Sequence, residues 1–239
     1  MRLAREGIRE IALATLVLGG GAAVLIWQWH WAAAIPLAAV WVWVIAFFRD
    51  PPRRALLADG EFCAPADGTV TEVTRLEHHD LVGGPAVRIG IFLSIFDVHI
   101  NRSPCDGRVR SIEHTPGRFL DARHPESGAR NEACTLVLDR ARAGPGPVVV
   151  RQVAGKIARR IICHATPGVD LARGERFGMI KFGSRTELIV GDDEHLEVTV
   201  EVGRRVRAGL SILARQADGP EGSDATDSQT RSARAPAPA

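Results

Sequence analysis

The chain has 239 residues, room for one catalytic domain plus extras, and its 30 basic and 28 acidic side chains leave a formal charge of only +2. That balance gives no electrostatic case for a nucleic-acid partner, and none is expected. All five tryptophans lie between positions 27 and 43 and tyrosine is absent, a segregation that suits a membrane interface and not an ordinary core.

The chain begins apolar. "IALATLVLGGGAAVLIW" (Ile11–Trp27) and "WAAAIPLAAVWVWVIAFF" (Trp31–Phe48) carry no charge, and each approaches the roughly 20 residues that cross a bilayer. Only Gln28, Trp29 and His30 separate them, so a two-helix transmembrane hairpin over residues 1–50 is expected, with helices at about 11–27 and 31–48. Arg2, Arg5 and Arg9 precede it and Arg49, Arg53 and Arg54 follow, which places both ends on the cytoplasmic face. The three later arginines also suit anionic lipid. Gly19–Gly21 would let the helices approach closely. A secretory signal peptide and a shallow re-entrant pair are the competing readings.

From Glu61 the pattern changes to short alternating or β-branched runs: "GTVTEVTRL", "VRIGIFLSI", "GRVRSIEH", "ACTLVLD", "PVVVRQVAG", "RRIICHAT", "MIKF", "ELIV" and "LEVTVEVG". Gly and Pro clusters separate them and long amphipathic helices are scarce. A mostly-β, barrel-sandwich-like domain is expected over residues 51–215, followed by a disordered Pro/Ala/Ser-rich tail over 216–239. Turn patterns such as "APADGTVTEV" are similar to those of biotinyl- and lipoyl-type sandwiches. No lysine stands at such a tip, so a cofactor-carrier domain fits poorly.

Cys63, Cys105, Cys134 and Cys163 form no C-x-x-C pair, and their spacing favours buried free thiols. His78-His79 would point to opposite strand faces, and His164 reads as a buried, hydrogen-bonded residue, so no metal is expected. Three clusters remain. Asp67 in "PADG" reads as a turn residue or a carboxylate held for chemistry. "FDVHINRSP" supplies Asp97, His99, Asn101 and Arg102, with His99 either structural or a proton carrier. Gly183-Ser184, in "MIKFGSRTELIV", is either a turn between two strands or a place where a hydroxyl meets an unshielded carbonyl.

Together "FFRDPPR", "APADG", "FDVHINRSP", the Asn131-Glu132 pair in "SGARNEA", "QVAGKIARRIIC" and "RGERFGMIKFGSRTEL" resemble the short-form phosphatidylserine decarboxylase proenzymes, in register from about Phe47 to Leu213. The resemblance implies that Ser184 attacks the Gly183 carbonyl and that the resulting ester eliminates and hydrolyses. The mature protein is then a heterodimer of residues 1–183 and 184–239. Ser184 becomes a pyruvoyl group, the covalent cofactor, with neither metal nor pyridoxal phosphate required. Its carbonyl forms a Schiff base with the amine of phosphatidylserine and takes up the electrons left by CO2, giving phosphatidylethanolamine. His99 becomes the candidate for proton chemistry and Asp67 for the group orienting it. Arg102 stands where long-form relatives carry a second histidine. Either His99 serves both cleavage and decarboxylation, or another group shares the work while Arg102 binds the substrate's phosphate or carboxylate.

A cell-membrane enzyme with its catalytic domain in the cytoplasm follows, and any oligomer beyond the heterodimer stays open. A chain starting near Arg49 is expected to cut itself still. The rivals are a pyruvoyl decarboxylase of a soluble amino acid and a membrane-anchored β-sandwich adaptor with an intact chain.

Overall fold

Side-chain alternation of period two governs the larger part of the molecule. A computed structural model describes residues 2–54, 58–124, 126–141, 146–156, 160–181 and 184–216. Gly183, the expected cleavage position, and the tail from residue 217 lie outside the described residues. In chain order the described strands are β1 (Arg2–Leu3), β2 (Arg49–Asp50), β3 (Glu61–Cys63), β4 (Gly68–His79), β5 (Gly84–Leu93), β6 (Ile100–Arg102), β7 (Gly107–Thr115) and β8 (Ala133–Arg140). They continue with β9 (Val148–Val153), β10 (Arg160–Cys163), β11 (Asp170–Leu171), β12 (Arg176–Lys181), β13 (Ser184–Gly191), β14 (Leu196–Val198), β15 (Arg205–Val206) and β16 (Ile212–Gln216). The helices are α1 (Arg5–Trp27), α2 (Trp31–Phe47) and the single turn α3 (Ser127–Arg130). Gln216, assigned to the tail by the sequence, ends a strand.

The main sheet runs β11-β7-β8-β9-β13-β5-β4-β15, antiparallel throughout, and curls into a half-barrel. Two three-stranded sheets, β10-β12-β6 and β14-β16-β3, complete the mostly-β fold that the sequence led us to expect. β13 is central and buried along its length. Its even positions face the core, where Leu188 and Val190 pack with Ile89, Ile91, Leu93 and Val150. Ser184 and Thr186 continue that inward row. On the reverse face Arg185 bonds Glu187 at 2.8 Å and also pairs with Glu72.

β12 and β13 do not pair with each other as a hairpin. β12 pairs with β10 and β6, whereas β13 pairs with β5 and β9. The chain therefore leaves one sheet at Lys181 and enters another at Ser184.

Of the two apolar helices, α1 has 23 residues and is long and apolar enough to cross a membrane. α2, with 17, would span about 25 Å at 1.5 Å per residue, short of a hydrocarbon core of about 30 Å. Trp41 Nε1 donates to Thr15 Oγ1 across the pair at 3.0 Å. The glycine run does not serve close approach: a Cβ on Gly20 would meet nothing within 4 Å, and one on Gly21 would make an ordinary 3.6 Å contact with Leu37.

The hairpin's lower end is built into the β domain. Ala4, Phe47 and Phe48 form one core with Val98, Ile100 and Met179, and β1 pairs with β2 beside it. A boundary near residue 50 thus passes through packed side chains and not through a linker, so a chain starting near Arg49 would lack part of a core. Phe48 is fully buried, so Phe48→Ala should cost about 3–5 kcal/mol of unfolding free energy in detergent. A chain beginning at Arg49 should lose more and bind an apolar dye. Full-chain stability in that truncation would show the hairpin to be an anchor alone.

Candidate active site

The "PADG" turn delivers Asp67 to the start of β4. Gly68 follows at φ +155°, and a Cβ there would stand 2.1 Å from the Phe92 carbonyl oxygen, so only glycine lets β4 begin this close to β5. Asp67 accepts two hydrogen bonds from the Arg53 guanidinium, at 2.5 and 2.7 Å, and one from the Ala208 N–H at 2.8 Å. Such a fork is the strongest arrangement available to a buried carboxylate. The sequence reading missed it, because it placed Arg49, Arg53 and Arg54 together against lipid. Arg53 is committed to Asp67, and Arg49 donates to the Ala46 and Phe96 carbonyls at 2.9 and 2.7 Å; of the three, Arg54 is exposed. The pairing was signalled only by the "FFRDPPR" motif ending on an arginine so close to the "PADG" aspartate.

After β5, Asp97 fixes a tight turn: its carboxylate accepts the Ser94 N–H at 2.8 Å and Arg205 Nη2 at 2.7 Å. Its carbonyl lies 3.0 Å from His99 Nδ1. A carbonyl only accepts, so this contact assigns the proton to Nδ1 and leaves Nε2 as the acceptor nitrogen of the neutral ring. His99 is fully buried, with its ring centroid 4.3 Å from that of Phe47. Burial pushes its pKa down to about 4, against the opposing pull of the Asp97 carbonyl and the charges of Asp97 and Asp67. Asp67 acts on His99 through that charge, while its oxygens are held by Arg53 and Ala208.

Ser184 opens β13 opposite Leu93, fully buried, and its Oγ has no hydrogen-bond partner among the described residues. An unpaired buried hydroxyl costs about 1–3 kcal/mol and calls for an explanation. β6 ties His99 to this position from both sides. The His99 carbonyl accepts the Ile180 N–H at 3.2 Å, and Asn101 Nδ2 donates to Thr186 Oγ1 at 3.1 Å. Asn101 Nδ2 also reaches the Pro65 carbonyl at 3.3 Å, and Gln152 Nε2 donates to Asn101 Oδ1 at 2.8 Å. The sequence singled out Asn101 without a role; Gln152 and Thr186, ordinary polar residues within strands, gave no signal.

Arg102 is buried. Its guanidinium donates to Asp50 at 2.8 Å, to the Gly174 carbonyl at 3.0 Å and to the Pro51 carbonyl at 3.2 Å. It also borders an open cavity of about 680 Å³ shared with Arg53, Arg54, Arg173 and Arg176. Asn131, from "SGARNEA", pins its loop through bonds to Leu120 and Ala154.

His164 proves exposed and bonds Glu6 at 2.9 Å, not buried as expected. The four cysteines are free; burial raises Cys63 to about 11 and Cys105 to about 12. Among the described residues no group of three His, Cys, Asp or Glu side chains is placed to hold a metal ion. The fold thus buries a hydroxyl, a neutral imidazole and a carboxylate-guanidinium pair on neighbouring strand ends, the elements of acyl-transfer and proton-transfer chemistry.

Residues 41–214 match the family model described as phosphatidylserine decarboxylase. The chain belongs to the phosphatidylserine decarboxylase family. A phosphatidylserine decarboxylase proenzyme of Rhodopirellula baltica is 43% identical over 215 residues, covering 90% of this chain and 88% of the relative. That of Trichlorobacter lovleyi is 41% identical over 88% of this chain and 94% of its own. That of Symbiobacterium thermophilum is 46% identical over 72% and 78%. This family member is therefore a decarboxylase, as its sequence motifs implied.

The depressed His99 pKa carries a stability consequence. Between pH 6.5, the ordinary value, and about 4, the unfolded chain binds a proton that the folded chain refuses, so stability falls as pH drops through that window. In the uncleavable Ser184→Ala background, unfolding free energy should drop from pH 7 to pH 4.5 by on the order of 2–3 kcal/mol more than in the same protein carrying His99→Gln. Equal drops would place His99 in a polar, solvated setting.

Proposed function

We propose that this family member converts phosphatidylserine to phosphatidylethanolamine at a pyruvoyl group that it makes from its own Ser184. The observation that carries the reading is the buried Ser184 Oγ, without a hydrogen-bond partner among the described residues, at the first residue of the central strand. In the self-cleavage, Oγ adds to the Gly183 carbonyl carbon, the Gly183–Ser184 C–N bond breaks, and the chain is joined through an ester. Loss of the Ser184 Cα proton then expels Gly183 as a carboxylate and leaves a dehydroalanine. Water replaces its nitrogen, which departs as ammonia.

His99 Nε2 is the group proposed to take the Oγ proton, since the ring is neutral at neutral pH. Asp67, held by Arg53, lends negative charge to that end of the pocket and steadies the cation that forms. The absence of a side chain on residue 183 favours approach to within about 3–3.5 Å. The residues present fit a pyruvoyl group: Ser184 supplies its carbon skeleton and water its keto oxygen, and Asn101, Gln152 and Thr186 set fixed polar atoms beside the strand end. When formed, the group supplies a carbonyl that accepts the electrons released with CO2. Arg102, fixed by Asp50, Pro51 and Gly174, is better suited to hold the site's frame than to follow a substrate.

The apolar α1 supports attachment to a membrane, and the arginines that flank the hairpin favour the β domain on the cytoplasmic side. The proposed organisation is an N-terminal membrane hairpin packed through Ala4, Phe47 and Phe48 onto the catalytic β domain, with the two cleavage products remaining associated.

Intact-mass measurement tests this directly. Purified protein should resolve into residues 1–183 and 184–239, the shorter one blocked to Edman degradation. Ser184→Ala should give a single uncut, inactive chain, and His99→Ala should slow cleavage by about 10²–10⁴-fold. Wild-type protein that is uncut yet fully active would overturn the reading.

A further inference from the structure

Lys181 is the last residue of β12, two positions before Gly183. The residue is only 5% exposed, in a strand whose Phe177, Met179 and Ile180 are all core. An ammonium buried there costs several kcal/mol unless it is paired. Its Nζ donates to Glu10 Oε1 at 2.5 Å and to the Glu6 carbonyl at 2.8 Å, and it lies 5.7 Å from the centre of the Phe48 ring. These partners all precede Arg49. At the other end of the strand Arg176 reaches the Glu6 carboxylate at 3.2 Å and Asp50 at 2.8 Å. Glu6 and Glu10 are four residues apart and so share one face of α1. β12 is thereby clamped at both ends to the helix that opens the chain.

Arg5, Glu6, Arg9 and Glu10 make a charged start to an otherwise apolar helix, and a carboxylate there is stable where it has a partner. For Glu10 that partner is the strand end that leads into Ser184. We infer that Lys181 is a positioning residue for self-cleavage, and that its ion pair with Glu10 makes maturation depend on the docked first helix. This rests on the self-cleavage proposed above. Attack within about 3–3.5 Å tolerates little slack, and a 1 Å displacement can cost about 10²-fold in rate.

The test uses the full chain synthesised in the presence of phosphatidylglycerol/phosphatidylethanolamine vesicles, with fragment appearance followed by intact mass. Lys181→Met and Glu10→Gln should each slow cleavage by about 10–100-fold. Lys181→Arg, and the exchange of Lys181→Glu with Glu10→Lys, should recover most of the rate. Thermal unfolding of the same substitutions in the Ser184→Ala background separates positioning from folding. Slow cleavage with an unchanged transition and recovery in the exchange is the expected result. Wild-type rates in Lys181→Met would overturn the inference, as would slow cleavage matched by lost stability and no recovery. If the wild-type chain never cuts, the proposed function fails instead.

Discussion

One buried amide holds the candidate site together. Asn101 gives its two amide hydrogens to Pro65, in the turn before Asp67, and to Thr186, two residues past Ser184. Its oxygen receives Gln152 from β9. Its backbone sits in β6, paired with β12. Four chain segments distant in sequence therefore meet at one side chain, in surroundings where an unmade hydrogen bond is expensive. The relative placement of Asp67, His99 and Ser184 follows from satisfying that amide.

The same pocket depends on apolar packing from an unexpected source. Phe47, at the end of a helix with the composition of a membrane segment, lies against the His99 ring and helps to exclude water from it. Dehydration keeps the imidazole neutral, which is the state a proton acceptor needs. The hairpin is therefore part of the site's electrostatics as well as the proposed means of attachment.

The strands of the β domain were legible because they are short alternating or β-branched runs, and because Gly and Pro mark the breaks between them. Ser184, His99 and Asp67 were singled out through ordered motifs. What escaped was pairwise and long-range. Arg53 looked like one more flanking cation until the fold brought it to Asp67, fourteen residues on. Arg102 looked free to bind an anion, yet Asp50 and two carbonyls occupy it. His164 sits in an apolar run that predicts burial, but β10 is an edge strand and leaves the ring exposed. The separate sheets of β12 and β13 could not be read from two short apolar runs flanking a glycine, which look alike whether they pair with each other or with others.

The position of β13 governs what a break ahead of Ser184 would leave behind. The portion from Ser184 onward supplies the middle strand of the eight-stranded sheet, zipped on one side to β5 and on the other to β9, and it also adds β15 to β4 and β16 to β3. Severing the backbone there removes no strand-to-strand ladder and no core side chain. The shorter piece could depart only by unzipping both neighbours at once, so it would behave as a permanently inserted peptide, like the complementing half of a split protein. Dilution alone would not separate the halves, and a newly made shorter piece could not replace the resident one without unfolding the sheet.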